Sequence, residues 1–575
     1  MNWLIGLYFA LFSPFPEDGS RANVPDMDSI LFEILSEGEY EFLGQMQEVV
    51  GEYFAEGGDP DFRQDDSEGG DPDIRRDDKE RSDDKEGRVV RQIATVTVSP
   101  ATISDGVGFR YRLKINRYNH WEARFLADQD PGEQFRTYPL PGIPSHCSGG
   151  LILRPGGWIR DAVIGDFQVN AGFGAMLASA PVFSITLGEP GLLHRPGTGI
   201  RLHPGTDENR FFRGVAAKMA RGRSELILFG TGRQTVVGKD SVAQEGCGII
   251  YDLRFTNYNL GAGVVGFNHD SLSFGQEEWG SQFSSRTEAF IRTGMWGQCR
   301  LPFVIIFGEA AWSPDLGGAG VAGLRFFESH GFSAVIRFTG STPDYPVWFS
   351  RFHTGTAPNR SRNDCTLSLK YVPNRRLVLY GSVLTQLDTW PDGDKFLRPT
   401  TKISQRTTWQ LPNRWMAALT STIGFGENEN VYPDAAGYKI QLDTDPEIKG
   451  IVRFRAGIQQ TFAGYGSRII YGTTGDLTVG LRLMEGRFRM ISGCRVFSVK
   501  PGVPPLYAYE PDILYGWSAP VLSGSGTRWF LTLRWVPISG LSIEGKVYQS
   551  GYSDLDHWSE DQRAGFKLQV AFTSQ

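Results

Sequence analysis

The chain has 575 residues, with 58 Lys and Arg against 65 Asp and Glu, a net charge of -7 that argues against wholesale binding to nucleic acid but not against local basic patches. Its five cysteines stand far apart with no CxxC pair, which argues against a zinc or redox centre, and their odd count excludes the pairing of all of them within the chain. A mean hydropathy of -0.27 excludes a bundle of membrane helices, whereas 70 Gly and 13% aromatics suit many closely packed strands.

In chain order, Trp3 to Phe12 has the length of an export-signal apolar core. Ser20-Arg21-Ala22 offers a small-x-small cleavage site, so residues 1–22 are expected to be a signal peptide. Residues 23–55 are expected to form a small helical element, since Ile30, Ile34, Leu35, Phe42, Met46, Val49 and Tyr53 recur at helical spacing. This element is read as periplasmic and able to hold a partner, with a helix packed into a barrel mouth as the alternative. In residues 56–87, Glu56 to Ser67 is nearly repeated as Glu68 to Lys79. The spacing of a calcium loop is missing, so the stretch reads as an acidic low-complexity linker. No cofactor is expected anywhere in the chain.

From residue 88 to 575 the sequence reads as strands. Phe109, Tyr111, Leu113 and Ile115 alternate with Arg110, Arg112 and Lys114. Trp529, Leu531, Leu533 and Trp535 alternate with Arg528, Phe530, Thr532 and Arg534. The return arm sets Leu541, Ile543 and Val547 against Glu544 and Lys546, and the last strand sets Phe566, Leu568, Val570 and Phe572 against Lys567 and Gln569. Side chains of a strand point alternately to its two faces, so each of these has one apolar and one charged face. A soluble sandwich also alternates, but here short turns such as Arg221-Gly222-Arg223 and His330-Gly331 alternate with long connections. The long ones include Gly188 to Asp207, Ser341 to Asn363 and Glu427 to Glu447. That rhythm predicts an all-β fold, a large antiparallel transmembrane β-barrel of roughly 22–26 strands. Arg110, Arg112, Lys114, Arg528, Arg534, Glu544, Lys546 and Lys567 are then the lumen-facing candidates.

Two stretches carry a resemblance. Gly165-Asp166-Phe167-Gln168-Val169-Asn170-Ala171-Gly172-Phe173-Gly174 precedes Glu208-Asn209-Arg210-Phe211-Phe212-Arg213-Gly214-Val215-Ala216-Ala217. The pair resembles the helix-hairpin-helix, or ComEA-like, outer-membrane proteins of Bacteroidota. In that family a GDxxxxFGxG strand precedes a loop and an ENxFFRGxA strand. The matching positions are Gly165, Asp166, Gly172 and Gly174, then Glu208, Asn209, Phe211, Phe212, Arg213 and Gly214, while Ala171 stands where the family has Phe. The resemblance extends more loosely from about Val89 to the C terminus, and implies a bacterial outer-membrane location and an association with DNA uptake. Residues 29–55, however, are acidic and lack the Gly-containing hairpin that presents N–H groups to phosphate. The helix-hairpin-helix region is degenerate or missing, and nucleic acid is not an expected partner. Expected partners are outer-membrane lipid, the barrel-assembly machinery and a periplasmic protein bound through residues 23–55.

The functional expectation is a channel or transport scaffold. Mixed charge signs on the lumen face disfavour a strongly selective pore. A non-conducting envelope-assembly or adhesion barrel, or one associated with DNA uptake, is the alternative. A barrel hydrolase comes third: His269-Asp270 and the Asp554 to His557 stretch are its candidates, but no nucleophile is marked. No enzyme is therefore expected, and Asp166 and Arg213 are expected to pair structurally inside the barrel.

Overall fold

The computed structural model describes residues 88–98, 108–117, 120–129, 146–179, 190–203, 211–237, 240–269, 289–314, 316–342, 361–389, 400–412, 415–425, 434–444, 452–465, 468–500, 518–552 and 564–574, with Tyr345, Phe349, Ser350, Val503, Leu506, Tyr507 and residues 509–514 between them. The expected signal peptide, helical element and linker lie outside these residues, as does the Asp554 to His557 stretch.

The fold is almost wholly antiparallel β, and 26 strands belong to one sheet. Arg88–Val98 pairs on one side with Gly108–Arg117 and on the other with the last strand, Ala564–Ser574. Along the chain each wall strand pairs with the next. Ile159–Ala171 passes over an inserted segment to pair with Phe212–Arg221, and Phe488–Val499 passes over another to pair with Gly524–Ile538. Two of the 26 strands, Leu177–Ala178 and Gly199–Leu202, pair only with Ile159–Ala171, which leaves 24 in a ladder that returns to its start. The architecture is thus barrel-like.

The sequence builds this wall through rows of like side chains. Ser368 pairs with Ser382, Ser382 with Ser404, and Ser404 with Thr422, so hydroxyls run across four strands on one face. One residue away, Leu367, Val383, Ile403 and Ile423 pair in the same order on the opposite face. Farther round, Leu419 pairs with Ile440 and Ile440 with Ile458, and all three are exposed. Such an apolar band facing outward is the reverse of a soluble sheet, which turns its apolar face to the core.

One end of the wall has tight turns. They include Arg221 to Ser224, Asn374 to Leu377, and Ile538 to Leu541, where Gly540 takes a positive φ of 84°. Among the described residues, several of these turns are tied to their neighbours by backbone bonds. Arg254 N–H donates to Arg223 O, Arg300 N–H to Asn257 O, Phe327 N–H to Phe303 O and Thr573 N–H to Gly540 O. The longest connections run between strand ends at the other end. Two expectations need correction there. Glu427 to Glu447 is not only a loop, because Asp434–Thr444 is a full wall strand. Gly188 to Asp207 is not only a polar connection, because Gly199–Leu202 pairs as a short strand along the edge of Ile159–Ala171.

Candidate functional site

Two segments from the long-loop end lie against the inner face of the wall, and each is anchored differently. The first leaves the strand Ile159–Ala171 at Gly172. A side chain there would overlap the Glu309 carboxylate, with 2.8 Å from a Cβ to its carbon, and the backbone φ is +54°. Glycine is therefore what lets this carboxylate reach the chain. Glu309 accepts backbone N–H bonds from Phe173, Ala175 (3.0 Å) and Met176 (2.7 Å). Successive N–H groups pointing at one anion form a nest, here filled by the protein's own carboxylate. Arg292, fully buried, donates to Met176 O, and Tyr345 donates to Ala175 O at 3.0 Å. Burial pushes the Tyr345 hydroxyl well above its ordinary pKa, so it stays a donor. Phe173 packs on Phe307 (centroids 4.9 Å) and Phe349 on Phe212 (4.6 Å) within one apolar cluster.

The second segment lies between Phe488–Val499 and Gly524–Ile538. It carries its own two-stranded pair, Leu506 with Leu522 and Tyr507 with Val521, and packs Val503, Leu506 and Leu522 against Phe497 and Val499. Its carboxylates make the anchor. Glu510, with no exposed side-chain surface, accepts from Arg528 through both oxygens (2.6 and 3.0 Å) and from Arg495 at 3.0 Å. Lys546 is equally enclosed and stands 3.4 Å from Glu510 and 3.9 Å from Asp512. Asp512 also takes the Lys567 ammonium. Burial alone would raise the Glu510 pKa. The Arg528 hydrogen bonds, with the charges of Lys546, Arg528 and Arg495, outweigh that and hold it below its ordinary value.

Four of the lumen-facing candidates, Arg528, Glu544, Lys546 and Lys567, thus meet this segment. Glu544 accepts from Leu514 N–H at 2.7 Å and lies 3.4 Å from Arg534, the fifth candidate of that region. Their apolar neighbours face the other way: Trp529 is 42% and Trp535 47% exposed. Arg110 instead forms a two-bond pair with Asp128 (3.0 and 2.9 Å), and Lys114 lies 3.8 Å from Glu122. Arg112 is half-buried on the same strand.

The motif residues fall elsewhere. Arg213 pairs with Asp166 through two bonds (2.6 and 2.8 Å), but it shares its face with exposed Val215, opposite fully buried Phe212. The pair seals a seam rather than a lumen. The ladder between His146–Leu153 and Ile159–Ala171 stops at Gly150 and Gly165. Beyond it Asp166 accepts from Gly149 N–H (2.9 Å) and Arg213 donates to Cys147 O (3.0 Å). Gly165 has a φ of +101° and a Cβ there would sit 2.3 Å from Gly149 O, so glycine is required where the strands converge. Phe211 lies under Arg233, 4.2 Å from its ring centre, and Gly174 completes the turn after Gly172. Gly214 faces Gly165 across the ladder, whereas Glu208 and Asn209 lie outside the described residues. Of the hydrolase candidates, His269 ends a wall strand, and no group of three His, Cys, Asp or Glu able to hold a metal occurs among the described residues. Sequence reasoning missed Glu309, Arg292, Glu510 and Asp512. Glu309 stands inside a strand whose neighbours Ile305, Phe307 and Ala311 are buried, and a lone carboxylate on such a face is the signal that marks it.

No family model matches the chain, and no curated protein matches it. Solved structures do show similarity. The siderophore receptor PirA from Pseudomonas aeruginosa is 8% identical, with a TM-score of 0.43 over 85% of this chain and 80% of that one. The FrpB iron transporter from Neisseria meningitidis is 9% identical, with a TM-score of 0.38 over 85% and 81%. OccAB4 of Acinetobacter baumannii is 10% identical, with a TM-score of 0.30 over 61% and 96%. The resemblance to the helix-hairpin-helix family is therefore corrected: neither a family model nor a curated protein of that kind matches the chain. The physical reason lies in the glycines. Gly165, Gly172 and Gly174 sit where strands converge or the chain turns inward, so their spacing reports local geometry rather than kinship.

Proposed function

We propose that the chain is an outer-membrane β-barrel acting as a channel or transport scaffold, with its two anchored segments holding the passage closed at rest. One observation carries this reading: the wall turns apolar rows outward and hydroxyl and charged rows inward, around a ladder whose last strand pairs with its first. Only a closed sheet leaves no unpaired backbone groups in hydrocarbon, so such a wall suits lipid. The inward carboxylates and cations that grip both segments are what a closed but releasable passage requires.

The native thiols offer a direct test. Cys247 and Cys494 are exposed on the apolar face of the wall. In a chain keeping only Cys494 and reconstituted in vesicles, a water-soluble maleimide should leave the thiol unmodified while a lipid-borne quencher reaches a probe attached there. Aqueous labelling without lipid quenching would sink the reading. In planar bilayers the native chain should conduct little, and a chain lacking residues 503–520 should give large steps. The extensive apolar packing of Phe173, Met176 and Phe349 favours a second reading, a non-conducting envelope scaffold. Silent bilayers from a folded deletion variant would select it.

A further inference from the structure

The tight-turn end of the wall exposes a cluster of arginines, while its acidic groups Asp161 and Glu225 are paired with Arg154 and with Lys218 and Arg254. Arg221, Arg223, Arg300, Arg375, Arg376 and Arg487 are exposed in or beside four of its turns. Two guanidinium groups stand over rings, Arg223 over Phe255 at 5.2 Å and Arg300 over Phe327 at 4.9 Å. Phe255 in turn stacks on Tyr258 at 4.2 Å, while Trp158 and Phe303 stand 62% and 71% exposed at the same end. The turn-to-turn backbone bonds fix these groups in one rim, as where Arg254 N–H reaches Arg223 O and Gln410 N–H reaches Arg376 O.

A merely solvated rim would use Lys as readily as Arg. This rim is built from Arg in a chain whose net charge is -7, so overall composition does not produce it. The planar fork of Arg matches two oxygens of one phosphate, and rings with one wet edge settle at headgroup level. We infer that the tight-turn rim is a collar for anionic phospholipid headgroups, in which the guanidinium groups engage the phosphodiester while the rings lie in the interface. The inference rests on the reading of a lipid-spanning wall and adds a surface with a chemical preference to it.

The test reconstitutes the full chain in vesicles containing spin-labelled phosphatidylglycerol or phosphatidylcholine and measures the motionally restricted fraction of each. The native chain should restrict phosphatidylglycerol at least about threefold more strongly. That preference should fall close to one in the variant R221Q/R223Q/R300Q/R375Q/R376Q, and also in high salt. Retained heat-modifiable mobility in electrophoresis shows that the variant is folded, and the smaller variant R223Q/R300Q should lose part of the preference if the larger one fails to fold. Equal restriction of both lipids by the native chain overturns the collar, as does a preference that survives in the folded variant. Restriction of neither lipid by the native chain would overturn the lipid-spanning reading itself, a result readily told from the other two.

Discussion

Glu510 is a carboxylate placed where it has almost no water and three cations within 3.4 Å. Taking such a charge out of water costs several kcal/mol, and only its partners offset that. Removing it would strand Arg495, Arg528 and Lys546 with Asp512 as the remaining carboxylate of the segment. Glu510→Gln keeps the shape and one acceptor but loses the charge, and should destabilise the docked segment by about 3–5 kcal/mol. The change should appear as a lower urea midpoint in vesicles and as larger conductance, with protease cutting near Tyr507 as an independent sign of release. Unchanged conductance and unchanged proteolysis would mean that the apolar contacts of Leu506 and Leu522 hold the segment alone. Glu309 works differently: its partners are three backbone N–H groups, so it fixes a local conformation rather than balancing cations.

At the scale of one element, the hairpin from Gly524–Ile538 to Leu541–Tyr552 joins the apolar surface to the anchor. Leu531 pairs with Val547 on one side and Ser492 on the other, on the face opposite Arg528 and Thr532. With that face in hydrocarbon, Leu531→Arg should cost about 2–4 kcal/mol, read by unfolding in vesicles. Arg534→Gln, whose side chain remains 42% exposed, should leave the midpoint nearly unchanged. Equal losses from both substitutions would contradict the assigned faces. The alternation that defines this hairpin is visible in the sequence, because a strand's period of two needs only local residues to be read. The inserted segments are not legible in the same way. Gly188 to Asp207 looks like any Gly-rich connection until Ile200 and Leu202 are seen buried against the wall, and nothing local says that Glu510 faces Arg528 across 18 residues. Long-range pairing of charges leaves no periodic trace. The Gly165 to Gly174 pattern misled for the opposite reason, since a local bend can imitate a family signature.

For the whole molecule, the Glu510 anchor sets how the proposed passage should respond to acid. Glu510 is held below its ordinary value in the folded protein, so its stabilising contribution is fully present above the unfolded pKa of about 4.3 and is lost as pH falls through the lower folded value. Conductance should therefore stay flat from neutral pH to about 5 and rise only below about 4. A rise already at pH 6 would show that a different group governs release.

The pairing of Val90 with Ser574 and of Val98 with Phe566 has a kinetic consequence. These contacts join the most distant parts of the chain, whereas every other wall contact joins near neighbours. In an unstructured chain, closing a loop of some 480 residues costs about 3 kcal/mol more than closing a hairpin of about 20. Hairpins can therefore zip together quickly while the first and last strands still wait for one another. Throughout that interval both present bare backbone edges, each able to template the wrong neighbour. The seam between Arg88–Val98 and Ala564–Ser574 is thus expected to form last, and there a folding catalyst would have the most to gain by holding the edges apart.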